Sequence, residues 1–155
     1  MDSRTVSPLY YIEVVLVSLY SLYLKGSTTR NWPRLRQLAQ ETGTVFIPSV
    51  GPGYMDTSVR PWNGVTTRDR KNGVYYDRMW KEALKSSSSA SNRVVSITSF
   101  NEWHEGTQIE PAVPAKRANA GGRGNSVYRD YGKIGSLGYL KKTAVWSAHL
   151  AKMDS

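Results

Sequence analysis

Apolar and polar positions fall along this chain in short blocks whose period changes from one block to the next. Leu9 to Leu24 is a sixteen-residue run rich in Tyr, Val, Leu and Ile, broken by Glu13, Ser18 and Ser21. It falls short of the about 20 apolar residues of a spanning helix. Its branched and aromatic content favours a buried strand at about residues 12–20 over a signal anchor. Asn31 then stands as an N-cap before Trp32 and Pro33, and Leu35, Leu38 and Ala39 set a helical stripe that Gly43 ends. Thr44 to Ser49 reads as the next strand, and Gly51-Pro52-Gly53 breaks it, placing Tyr54 in a loop. Gly73 precedes a second helix over Val74 to Lys85, with Tyr76, Met79, Trp80 and Ala83 on one face.

A serine-rich connector, Ser86 to Asn92, leads into a third strand, Val94 to Thr98. The last helix runs from about Ser136 to Lys152, with Leu137, Leu140, Ala144, Val145 and Ala148 expected to face inward. Strand and helix alternate three times, which indicates a parallel α/β architecture. In such folds the chemistry sits in the loops at the C-terminal ends of the strands. The loops after the second and third strands are therefore expected on one rim. Ala115 to Ser126, after both loops, is a glycine-rich basic stretch with the composition of a solvated insertion.

Composition narrows the function. The chain has 155 residues and a net charge of +9, but its basic residues are scattered and lack the aromatic interleaving of a stacking platform, so nucleic acid is not expected as a partner. Cysteine is absent, which removes disulfides, cysteine-based zinc sites and thiol nucleophiles. No Asn-x-Ser/Thr sequon occurs.

The run Ser99-Phe100-Asn101-Glu102-Trp103-His104-Glu105-Gly106-Thr107-Gln108-Ile109-Glu110 carries the candidate chemistry. Glu102 and Glu105 lie three residues apart, directly after a strand. Paired carboxyls are what hydrolysis of a sugar acetal needs: one gives a proton to the leaving oxygen while the other assists at the sugar. Trp103 offers a flat face for a pyranose ring, Asn101 and Gln108 offer amides for hydroxyls, and His104 can orient a carboxylate. The same spacing also occurs on solvated helical faces, but Gly106 and the Asn-Trp-His neighbours disfavour that reading here. Tyr54, Arg60 and Trp62 on the other loop are further sugar contacts. Against that, Arg60 is also placed to pair with Asp56, and Tyr54, Trp62 and Trp103 to pack. A metal site built from Glu102, His104 and Glu105 is the competing chemistry.

The stretch Ser96 to Glu110 resembles the signature of the endo-α-1,2-mannosidase family, glycoside hydrolase family 99. Two further segments carry the likeness in the same order. One is Phe46-Ile47-Pro48-Ser49-Val50-Gly51-Pro52-Gly53-Tyr54 with Asp56-Thr57-Ser58 and Arg60-Pro61-Trp62-Asn63; the other is Thr67-Arg68-Asp69-Arg70 with Asn72-Gly73 and Tyr75-Tyr76. The resemblance implies a (β/α)8 barrel and a retaining enzyme that cleaves internal α-1,2-mannosidic bonds of glucosylated N-glycans at the Golgi membrane, on the luminal side. It implies Glu102 as the base on the sugar 2-hydroxyl and Glu105 as the general acid/base. Tyr54, Arg60, Trp62, Asn101, Trp103 and His104 are then the substrate-binding set. Neither metal nor cofactor is implied, and the N-linked glycan is the one partner expected. A complete barrel takes about 200 residues or more. Residues 26–155 are therefore expected to be the C-terminal part of such a domain, inactive alone, with 1–25 unmatched. The rival expectation is a carbohydrate-binding remnant without catalysis.

Overall fold

The structure, a computed structural model, describes residues 28–87, 93–112 and 128–153. Five regular elements follow in order among the described residues: helix α1 (Trp32–Glu41), strand β1 (Ser49–Val50), helix α2 (Val74–Ser86), strand β2 (Ser96–Ile97) and helix α3 (Gly138–Lys152). The strands pair in parallel, Ser49 opposite Ser96 and Val50 opposite Ile97. The α/β alternation read from the sequence is thus present from α1 onward. The strand expected at about residues 12–20, the connector beyond Ser87 and the insertion at 115–126 lie outside the described residues.

Both strands are shorter than their apolar blocks. The ladder consists of Ser96 N–H donating to the Pro48 carbonyl at 3.0 Å and Thr98 N–H to that of Val50 at 2.8 Å. Pro48 has no N–H to extend the pairing toward Thr44, so Val45 and Val94 stay half exposed. Pairing is instead concentrated at the C-terminal ends, next to the loops that carry the candidate chemistry.

Helix α1 begins where Pro33 predicts, but Asn31 makes no capping bond with its side chain. The preceding single turn, Thr29–Asn31, is capped by Thr28 instead, so Asn31 already has helical backbone angles. At the other end the Thr42 hydroxyl donates to the Leu38 carbonyl and Gly43 turns left-handed at φ +66°. The buried stripe is Trp32 and Ala39, with Leu35 packed beside them; Leu38, expected inside, is 51% exposed.

Helix α2 forms the centre of the core. Tyr76, Met79, Trp80 and Ala83 are buried at the predicted spacing, and the helix packs on β1, α1 and α3. Trp80 meets Tyr76 edge-on at 6.2 Å and stacks on Trp146 of α3 at 6.4 Å.

The inward face of α3 is a correction to the sequence reading. Leu137, Ala144, Val145 and Ala148 are exposed, while Leu140 is partly buried. Tyr139, Thr143 and Trp146 face α2. Two physical causes set this rotation: Tyr139 and Trp146 bury far more area than the alanines and valine do, and α2 presents matching polar partners. Asp77 accepts from Lys142 Nζ at 2.6 Å and from Trp146 Nε1 at 2.9 Å, and the Tyr76 and Thr143 hydroxyls meet at 2.9 Å. Among the described residues no helix is long and apolar enough to cross a membrane.

Candidate active site

Two loops leave the same end of the parallel pair: Gly51 to Arg60 after β1, and Thr98 to Ile109 after β2. They are joined at several points. Ser49 Oγ and Thr98 Oγ1 lie 2.7 Å apart, and Met55 N–H donates to the Glu105 carbonyl at 2.8 Å. A Cβ at Gly51 would stand 2.8 Å from the Thr98 carbonyl oxygen, so this approach requires glycine.

Gly106 is constrained twice, by φ +61° and by a Cβ position 3.1 Å from Arg129 Cγ and 3.4 Å from the Met55 backbone. Gly106→Ala is expected to destabilise the fold by about 1–2 kcal/mol from the left-handed backbone alone, a loss that urea denaturation will read.

Side chains from the two loops converge on a charged cluster. Asp56 is 1% exposed. Its carboxylate accepts from Arg60 Nη1 at 3.0 Å and from Asn63 Nδ2 at 2.9 and 3.1 Å. Asn63 Nδ2 also donates to the Tyr54 hydroxyl at 3.2 Å. The same Arg60 Nη1 reaches Glu105 Oε1 at 3.3 Å, so one nitrogen bridges two carboxylates. Burial alone would raise the Asp56 pKa, but the hydrogen bonds from Asn63, Arg60 and Tyr54 outweigh it and hold the carboxyl below its usual range. Arg60 is held more firmly protonated by Asp56 first and Glu105 second.

Glu102 is exposed on the same loop. Its Oε1 accepts from the His104 N–H at 3.2 Å, and its own N–H donates to Ser99 Oγ at 2.9 Å. Asn101 and His104 are exposed beside it, and the His104 ring lies edge-on to Tyr128 at 5.6 Å. Trp62 is 79% exposed on the Pro61–Thr66 turn. Trp103 is partly buried: its indole N–H donates to Glu110 Oε2 at 3.1 Å, and its ring packs edge-on against Tyr128 and Tyr131. Gln108, read as a hydroxyl partner, is fully buried and donates to the Arg129 carbonyl at 2.6 Å. Among the described residues no group of three His, Cys, Asp or Glu side chains is arranged to hold a metal ion. Glu105 turns to Arg60, and Glu102 to its own loop.

The profile of Glycosyl hydrolase family 99 matches residues 19–152. The chain belongs to glycosyl hydrolase family 99. It is similar to the glycoprotein endo-alpha-1,2-mannosidase of Rattus norvegicus, with 48% identity over 127 residues that make up 82% of this chain and 25% of that protein. It is similar also to a human glycoprotein endo-alpha-1,2-mannosidase-like protein, with 45% identity over 82% of this chain and 26% of the relative. A solved family 99 endo-alpha-mannosidase from Bacteroides thetaiotaomicron superposes with a TM-score of 0.70 at 50% identity, covering 83% of this chain and 35% of its own. The chain thus spans about a quarter of the length of the curated relatives it matches.

Within this family 99 chain, the residue that sequence reading passed over most completely is Arg70. It is 5% exposed. Its Nη2 donates to the carbonyls of Gly106 at 3.0 Å and Gln108 at 2.7 Å, and Nε also reaches Gly106 at 3.3 Å. Its guanidinium lies over the rings of Tyr131 and Tyr139 at 5.4 and 4.9 Å. Burial pushes its pKa down. Arg70 therefore fixes, from below, the backbone that follows Glu105. An arginine in a basic Thr-Arg-Asp-Arg stretch carries no local sign that it will be buried, and its aromatic partners Tyr131 and Tyr139 come from a distant part of the chain.

Tyr54 of the family 99 cluster is pushed up to about 12, first by burial, then by its hydrogen bond to Asp56 and by the Glu105 charge, with Arg60 opposing. The phenol is accordingly a neutral donor at any ordinary pH. A folded-state pKa above the unfolded value near 10 contributes stability in full below pH 10, and that stability is lost as pH rises toward 12. Tyr54→Phe is therefore expected to flatten the fall in stability between pH 10 and 12. Thermal melts of the two proteins across that window check it. A slope identical to that of the unsubstituted chain would show that the fold does not raise the Tyr54 phenol.

Proposed function

We propose that this chain supplies the paired-carboxylate rim of a retaining, endo-acting glycoside hydrolase that cleaves internal α-1,2-mannosidic bonds of glucosylated N-linked glycans. The observation that carries the reading is Glu105 joined through Arg60 to Asp56 at the C-terminal ends of adjacent parallel strands, with Glu102 three residues earlier on the same loop. We place these strands in a (β/α)8 barrel whose remaining wall comes from beyond the matched segment, and the protein at the Golgi membrane with this domain on the luminal side, where such glycans are met. Similarity to proteins named glycoprotein endo-alpha-1,2-mannosidase supports the substrate class.

In the first half of the proposed reaction, Glu102 takes the proton of the mannose 2-hydroxyl as that oxygen bonds to the anomeric carbon. Glu105 gives its proton to the departing glycosidic oxygen. In the second half water attacks the anomeric carbon as its bond to the 2-oxygen breaks, Glu105 takes the water's proton, and Glu102 returns one to the 2-oxygen. Protons balance over the cycle and the configuration is retained. Tyr54, through its hydroxyl oxygen, and Trp62, as an open aromatic face, line the rim for hydroxyls and for a ring.

The reading is tested in a hybrid in which residues 19–152 of this chain replace the matching segment of the Bacteroides enzyme. Turnover of an α-1,2-linked glucosyl-mannose glycoside by the hybrid, lost in Glu102→Gln, is expected. The 155-residue chain by itself is expected to give no turnover, because catalytic residues of a barrel come from several strands. A folded hybrid that binds the sugar without turnover would favour the carbohydrate-binding alternative.

A further inference from the structure

Asp56 is neither one of the paired glutamates nor a rim residue open to a sugar, yet it is linked to Glu105 through Arg60 and to Tyr54 through Asn63. Its backbone carbonyl accepts from Val59 and Arg60 N–H at 2.8 and 2.7 Å, and this closes the turn that brings Arg60 back over its own carboxylate. The carboxylate then fixes Arg60 and Asn63 through three hydrogen bonds. Asn63 passes the constraint to the Tyr54 hydroxyl. The residue before Asp56 contributes as well, since Met55 N–H holds the Glu105 carbonyl. Arg60 is 46% exposed and long enough to sample many rotamers in water. Its place beside Glu105 therefore depends on the buried anion that anchors it.

We propose that Asp56 is a positioning residue that acts on Glu105 through Arg60. This rests on the proposed role of Glu105 as general acid. A carboxyl that delivers a proton must hold one geometry relative to the leaving oxygen, and a bridging guanidinium imposes such a geometry only if it is itself held in place. Asp56, on the same Nη1, holds it from the protein interior. Asn would keep the shape and one acceptor but lose the charge that holds Arg60. Proton delivery should then suffer, while steps that need no proton are spared.

The experiment compares Asp56→Asn with Glu105→Gln in the hybrid enzyme, on one substrate with a sugar leaving group and one with an activated aryl leaving group. The expected result is that Asp56→Asn lowers kcat on the sugar substrate at least tenfold more than on the aryl substrate, in the same sense as Glu105→Gln. Equal losses on both substrates would mean that Asp56 only supports the fold, and would overturn the proposal. If Glu105→Gln itself shows no dependence on the leaving group, the acid assignment fails instead, and the two failures are distinguishable. A second measurement uses the full 155-residue chain with labelled arginine side chains. The Arg60 Nε–H resonance is expected to show restricted motion that Asp56→Asn releases and Glu82→Gln does not. An Arg60 side chain equally mobile in the unsubstituted chain and in Asp56→Asn would also overturn the proposal.

Discussion

Glu105→Gln in the hybrid enzyme will lower hydrolysis of an α-1,2-linked mannoside with a sugar leaving group by about 10²- to 10⁴-fold, the range that general acid catalysis contributes. An activated aryl mannoside will lose far less in glycosylation. A sugar alkoxide is a poor leaving group and needs its proton as the bond breaks, whereas a phenolate of low pKa departs without one. The structure gives this asymmetry a local basis. Glu105 is the member of the pair that touches Arg60, at 3.3 Å, and through Arg60 the buried Asp56. Its main chain is held from both sides, by Met55 N–H on its carbonyl and by Arg70 on the next one. Gln preserves the shape and keeps an oxygen for Arg60, so the fold is expected to survive while the proton is lost. Initial rates on the two substrates read the effect, and equal losses would count against an acid role.

Trp80→Ala will take away a large part of the stability of the fold. The expected cost is about 3–5 kcal/mol, as for a large aromatic removed from a core, against a total stability of about 5–15 kcal/mol for a small domain. Trp80 is 2% exposed and sits where α2 meets α3: its ring stacks on Trp146 and receives Tyr76 edge-on. Trp146 is in turn hydrogen-bonded to Asp77, so a cavity at position 80 also loosens the helix that the Asp77 contacts hold. Trp80→Phe, which keeps a ring, should cost much less. Urea unfolding followed by circular dichroism separates the two, and a Trp80→Ala chain as stable as the parent would mean that α3 is not packed on α2 as described.

Some of this molecule was legible in its sequence, and the boundary has physical causes. The α2 face was readable because Tyr76, Met79, Trp80 and Ala83 are large or small apolar groups at one period and nothing on the helix competes with them. The parallel order of the strands followed from alternation with helices. The face of α3 was misread because Leu137, Ala144, Val145 and Ala148 form an equally regular stripe. What decides between the two faces is Asp77 and Tyr76 on another helix, which no period within α3 encodes. The short ladders were hidden for a similar reason: apolar blocks mark burial, while pairing depends on where a carbonyl such as that of Pro48 finds an N–H. At the site, the spacing of Glu102 and Glu105 directed attention to the loop after β2, which the structure joins to the loop after β1. The sequence reading also noted Asp56 as a pairing partner for Arg60, and the two are joined as that reading allowed. That Arg60 would reach Glu105 as well, and that Arg70 would be buried under the loop, are contacts across 45 and 36 positions, beyond any local signal.

The most direct measurement of the central claim follows the anomeric configuration of the first sugar released by the hybrid enzyme, by proton NMR within the first minutes of reaction. The α anomer is expected, appearing before mutarotation and absent from the Glu102→Gln variant. Release of the β anomer, or an α product formed undiminished by Glu102→Gln, would contradict it.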